Sequence, residues 1–198
     1  MGQNFANAGV FLIQTFLGLY ILVIMLRFLM QAVRADFYNP ISQGIVKLTD
    51  PALRPLRRVI PGIWRFDLAC LVLALVIQII ALILVYLLYG APVPNPLALA
   101  VWSVVGLFSL TLKIYYFSLI AMIIVSWIAP NSNHPAILLI HQIVEPICVP
   151  ARKLLPPMGG LDFSVILVFV FITLIDSFLV IKPLQVFLGI PSGVIFGL

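Results

Sequence analysis

The chain contains itself twice. The stretch Asp50-Pro-Ala-Leu-Arg-Pro-Leu-Arg-Arg-Val-Ile-Pro61 returns 95 positions later as Glu145-Pro-Ile-Cys-Val-Pro-Ala-Arg-Lys-Leu-Leu-Pro156. Pro51, Pro55 and Pro61 fall on Pro146, Pro150 and Pro156, while Arg57 and Arg58 fall on Arg152 and Lys153. Asp67 falls on Asp162 with no insertion, and Tyr20, Pro40 and Ile45 meet Tyr115, Pro135 and Ile140. A gapless register of this kind implies two structural copies of one unit. Residues 1–95 and 96–198 are therefore read as two tandem repeats.

What surrounds the motifs decides the solvent. The chain is 64% hydrophobic and only 9% charged, whereas a soluble domain carries roughly 25% charged residues. A bilayer must solvate most of it. Four apolar runs are long enough to cross: about 8–33, 68–89, 97–128 and 163–181. The fold class expected is an all-α polytopic membrane protein with four transmembrane helices. The remainder, Lys182 to Leu198, is apolar but broken by Pro183, Gly189, Pro191 and Gly193, and is expected to be an interfacial flap. Met1 to Asn7 has no Lys or Arg, so no cleavable signal peptide is expected.

Lys and Arg set the orientation. Arg34, Lys47, Arg54, Arg57, Arg58 and Arg65 lie between the first two runs, and Arg152 and Lys153 between the last two. The N-terminal segment and the 90–96 turn carry none. Both motif segments should face the cytoplasm and both termini the other side. Two spans separate the motifs, so the halves should be parallel rather than inverted repeats.

Within each motif segment, Asn39-Pro40 and His134-Pro135 read as helix starts. Ile41, Ile45 and Leu48 share a face, giving a short amphipathic helix at the headgroups. Asp50-Pro51 and Glu145-Pro146 read as a fresh start, an acidic cap followed by proline. Pro55 and Pro150 should kink or stop that helix, and Pro61 and Pro156 should end it. Asp67 and Asp162 read as caps of the second and fourth spans, acids at the positive ends of helix dipoles.

The doubled acidic-Pro-x-x-x-Pro-x-basic-basic pattern resembles the YggT/YlmG family of small integral membrane proteins of bacteria and chloroplasts, and the similarity covers nearly the whole chain. The resemblance implies no established catalytic activity. It implies roles in osmotic or ion-stress tolerance, or in envelope, division or membrane-complex assembly, in a bacterial inner membrane. The copies differ where Val149 replaces Arg54 and Gln142 replaces Lys47, which argues against strict equivalence of the halves.

Several side chains are candidates for function. Lys113 and Asp176 lie in the third and fourth spans, and counting from the inner ends puts both about 20 Å deep. Equal depth permits an ion pair, since a lone charge there costs about 2.5–3.5 kcal/mol or more. That pair is either a structural clamp or a relay for protons or cations. Gly18 and Ala81 stand at the matching positions of the first half. Arg54, Arg57, Arg58, Arg152 and Lys153 either bind anionic lipid or an acidic partner, or only hold the loops inside. His141 and Glu145 are one turn apart, but the first copy has Val46 and Asp50 there, so a metal is not expected. Arg27 and Gln31 should snorkel to the interface. Trp64, Trp102 and Trp127 fit interface anchors. The cysteines, Cys70 and Cys148, read as buried thiols. No nucleic-acid pattern, cofactor motif or hydrolase motif is present.

Two functions compete. One is a non-catalytic scaffold that binds lipids and membrane or cytoplasmic proteins through the proline-rich surface. The other is a channel or transporter component for ions such as potassium, which requires a homo-oligomer because four spans rarely enclose a pore. An intramembrane enzyme ranks last.

Overall fold

The structure is a computed structural model that describes residues 2–60, 62, 66–129, 132–154, 163–191 and 193–197. Trp64, Arg65, Pro61, Pro156 and Asp162 lie outside the described residues. The chain is helical: α1 Gly2–Ala32, α2 Pro40–Arg57, α3 Leu68–Leu88, α4 Pro96–Ile128, α5 Pro135–Leu154 and α6 Phe163–Leu174. A π-helical turn, Ile175–Leu179, joins α6 to a last short helix, α7, Ile181–Phe187. Among the described residues, four helical stretches are long and apolar enough to cross a membrane: Asn4–Ala32, Leu68–Leu88, Pro96–Ile128 and Ser164–Phe187. Their lengths follow from long, predominantly apolar sequence, and the starts of α3 and α4 from cap chemistry. The Asn95 side chain accepts from Ala98 N at 2.7 Å with Pro96 in the first turn. Asp67 accepts from Ala69 N at 3.1 Å and opens α3.

α1 packs along α3 as the most extensive helix pair of the molecule, whereas α4 meets α6 over a much shorter stretch. Ile21, Ile24, Met25, Cys70, Leu73 and Ala74 fill the α1–α3 seam. Leu119, Val144, Cys148, Val165 and Val168 form the core of α4, α5 and α6. A smaller cluster, Met30, Ala35, Ile45, Leu139 and Ile143, joins α1 and α2 to α5. Polar bonds reinforce that junction. Asn39 Nδ2 donates to Pro135 O at 2.7 Å, and Asp36 N donates to the Gln142 side chain at 3.0 Å.

The expectation that each motif breaks into two helices is corrected. α2 runs unbroken through Pro51 and Pro55, and α5 through Pro146 and Pro150. Asp50 and Glu145 are therefore interior residues rather than N-caps. An interior proline costs about 3 kcal/mol relative to alanine, so tertiary contacts must hold these helices straight enough. In α2 the four residues Ser42, Ile45, Thr49 and Leu53 are buried on one side, while Pro51 and Pro55, four apart on another face, are exposed. The carbonyl of Val46, in the turn that Pro51 disturbs, accepts from Arg27 at 3.1 Å.

The C-terminal flap is corrected as well. After α7, Gly193–Gly197 turns back into the bundle against α1, α3 and α4. Gln14 Nε2 donates to Gly193 O at 2.6 Å, Gln78 Nε2 donates to Phe196 O at 3.0 Å, and Ile195 is buried. Gln78 stands ten residues into α3, about 15 Å from its start. Non-helical backbone at membrane depth is tolerated only where protein covers it and satisfies its carbonyls, and the two glutamines do that. Two glycines make the room: a Cβ at Gly18 would collide with the Phe196 ring, and one at Gly106 with Ile195.

Candidate functional site

The motif of the first half is the centre of one continuous polar network. Arg27, near the end of α1, is 5% exposed. Its guanidinium donates to Thr49 Oγ1 at 2.6 Å and to Asp50 Oδ1 at 2.6 Å. Asp50 also accepts from Arg54 at 3.3 Å and lies 4.0 Å from Arg57. Arg57 in turn pairs with the buried carboxylate of Asp67, its Nε donating at 3.0 Å. Asp67 meanwhile caps α3 and accepts from Cys70 Sγ at 3.3 Å. The chain Arg27–Asp50–Arg57–Asp67 thus ties α1, α2 and α3 together at one end of the bundle. Asp50 titrates below the usual carboxylate range, first because Arg27 hydrogen-bonds it and then because Arg27 and Arg54 are cationic; partial burial opposes this and loses.

In the second half, the described residues show one pair of the same kind. Arg152 pairs with Glu145 at 2.6 Å, the counterpart of the looser Arg57–Asp50 contact. The position that matches Arg27 is Met122, so α4 offers α5 no guanidinium. Lys153, in the last turn of α5, is exposed. Arg54 and Arg58 are exposed on α2 and just beyond its end. His134 accepts from Ala136 N at 3.2 Å at the start of α5. His141 lies one turn from Glu145, which Arg152 already engages.

Lys113 and Asp176 do not form the expected ion pair among the described residues. Both line one cavity of about 340 Å³ with Thr173, Ser177, Tyr116 and Phe117. The group level with Asp176 is instead Ser109, whose hydroxyl donates to Oδ1 at 3.3 Å. Lys113 is four residues further along α4, about 6 Å by helical rise. The equal-depth estimate fails because α4, at 33 residues, is far longer than a ~30 Å core requires. Counting from its inner end therefore misplaces its residues.

Sequence reasoning missed Arg27 as a buried partner and missed the inward tail. The signal for Arg27 was available: a guanidinium at the end of an apolar run, beside a motif that carries an acid. For the tail the signal was two glutamines, Gln14 and Gln78, each set among apolar residues well inside a spanning run.

This is the architecture of a multi-pass helical membrane protein, four long apolar helices with two proline-containing helices between them. A sequence model described as CCB3/YggT matches residues 6–88 and again 101–182. The chain belongs to the CCB3/YggT family. It is 49% identical over 187 residues to "Uncharacterized protein PA0392" of Pseudomonas aeruginosa, covering 94% of each chain. It is 39% identical over 167 residues to "Uncharacterized protein in proC 3'region" of Vibrio alginolyticus, covering 83% of this chain and 89% of that one. It is 38% identical over 162 residues to "Uncharacterized protein YggT" of Escherichia coli K12, covering 80% and 81%. No solved structure matches the chain.

Proposed function

We propose that the protein is a non-catalytic scaffold of the bacterial inner membrane. In this reading two tandem parallel copies place α2 and α5 on the cytoplasmic surface, with both termini on the other side. Their cations bind anionic lipid headgroups and the acidic surfaces of membrane or cytoplasmic proteins. In this reading, a part in osmotic or ion-stress tolerance, or in envelope, division and complex assembly, follows from what that surface gathers. The observation that carries the reading is a sorting of charge. The described acids in and just after the motifs, Asp50, Asp67 and Glu145, are engaged by Arg27, Arg57 and Arg152. Arg58, Lys47 and Lys153 are left exposed. Each well-placed cation contributes about 1 kcal/mol at an anionic surface.

The test replaces Arg58, Lys47 and Lys153 by Gln, which spares the internal pairs. The variant should lose the enrichment of anionic lipid and of protein partners that copurify in mild detergent. Unchanged copurification at equal yield removes the surface from consideration. A second reading, an ion channel or transporter component built on a homo-oligomer, draws support from the cavity that Lys113 and Asp176 share. There, Lys113→Leu with Asp176→Leu should change potassium flux in liposomes, and absence of flux in the wild type ends that reading.

A further inference from the structure

The two halves differ in one place where the sequence should make them alike. In the first, α1 lies against α3 and α2 is strapped across both by Arg27 and Arg57. In the second, α4 meets α6 over a shorter stretch, and an open groove of about 600 Å³ lies between α4, α5 and α6. Two substitutions in the repeat bear on this. Met122 replaces Arg27, so α4 has no guanidinium at that position to pair with α5, and Ala151 replaces Leu56, which packs against the α1–α3 core. A strap and a filler are both missing.

The groove has the volume of a small-ligand site, for which about 300–1,000 Å³ is usual. Its walls are aliphatic and aromatic: Phe108 and Leu112 of α4, Ile147 and Ala151 of α5, Phe171 and Ile172 of α6. Thr111 and Tyr115 are the hydroxyl-bearing residues in its lining. On α5, Pro146 and Pro150 also line it. Lys153 follows them by seven and three residues and so shares their helix face. It is exposed in the last turn, beside Leu154, which lines the groove. A largely apolar trough between membrane-crossing helices, with a cation at one end, matches an acyl chain that carries an anionic head.

We propose that the α4–α5–α6 groove binds one acyl chain of an anionic phospholipid, whose phosphate is held by Lys153. The inference rests on the lipid-binding surface proposed above and assigns it a specific seat. Among the described residues the first half is strapped by Arg27 and Arg57 where the second has its groove, so the two motif segments differ in kind: one touches headgroups, the other retains a lipid.

The test uses the delipidated full chain in detergent, titrated with phosphatidylglycerol or with phosphatidylcholine of the same chains and followed by native mass spectrometry. The wild type should bind one phosphatidylglycerol more tightly than phosphatidylcholine. Ala151→Leu, which imports the first-half residue, and Thr111→Phe, which fills the trough from α4, should each weaken binding of both lipids at least tenfold. Lys153→Gln should erase the preference for phosphatidylglycerol yet leave phosphatidylcholine binding unchanged. Wild-type binding by both filled variants overturns the groove while the cationic surface stands. Retained preference in Lys153→Gln overturns the headgroup assignment. No preference in the wild type overturns the lipid surface itself. Matched thermal midpoints of at least one filled variant and the wild type separate lost binding from lost folding.

Discussion

Arg27 shows how much one side chain changes the meaning of a motif. The sequence displays Asp50 beside two prolines and invites a capping role. Placed inside α2 and facing a buried guanidinium, the same carboxylate becomes the knot between α1 and α2. Removing one partner of a buried ion pair costs about 3–5 kcal/mol. Asp50 is 23% exposed and keeps Arg54, so Arg27→Met should cost near the low end, about 3 kcal/mol, read as a lower thermal midpoint in detergent. The pH dependence has a definite sign. The folded-state pKa of Asp50 is lowered, so its contribution is complete above the unfolded value of about 3.9 and is lost as pH falls through the folded value. The thermal midpoint should hold between about pH 7 and 5 and drop below about 4, and Asp50→Asn should blunt that drop. Residue types hinted at the pair, but spacing did not fix it, because 23 residues separate Arg27 from Asp50 and they adjoin only after α2 folds back on α1.

At the scale of elements, the apolar runs announced their helices well. Length and hydropathy suffice when a segment has no alternative to satisfying its own backbone. The motif helices were misread because proline's local penalty is visible in sequence and the packing that overcomes it is not. The tail misled for a related reason. Its prolines and glycines disfavour a fifth spanning helix, but only the assembled bundle shows that Gln14 and Gln78 donate to its backbone carbonyls. Gly106→Val should therefore drive Ile195 from its seat and cost about 1–3 kcal/mol, as overpacking does. Faster protease cleavage at Gly193 in the detergent-solubilised variant would report the same displacement, and wild-type protection would show that the tail tolerates the added bulk.

For the whole molecule, the repeat in the sequence points to one unit used twice, and Met122 and Ala151 stand where its first copy has Arg27 and Leu56. Cysteines at Lys47 and His141, both exposed, should react with a membrane-impermeant thiol reagent only when it is given access to the cytoplasmic side. Labelling of either from outside intact cells would dismiss the parallel arrangement. The candidate pair Lys113 and Asp176 was half legible: residue type singled both out, and the two do share a cavity, but their offset depends on how far α4 overruns its neighbours.

The inward tail has a consequence for biosynthesis. Residues 193–197 rest on helices from both ends of the chain, α1 and α3 on one side and α4 on the other. They can dock only when all of these have entered the bilayer. Insertion and final closure are thus separate events, and a newly made molecule should pass through a stage in which its spans are in place while its centre is still open to lipid.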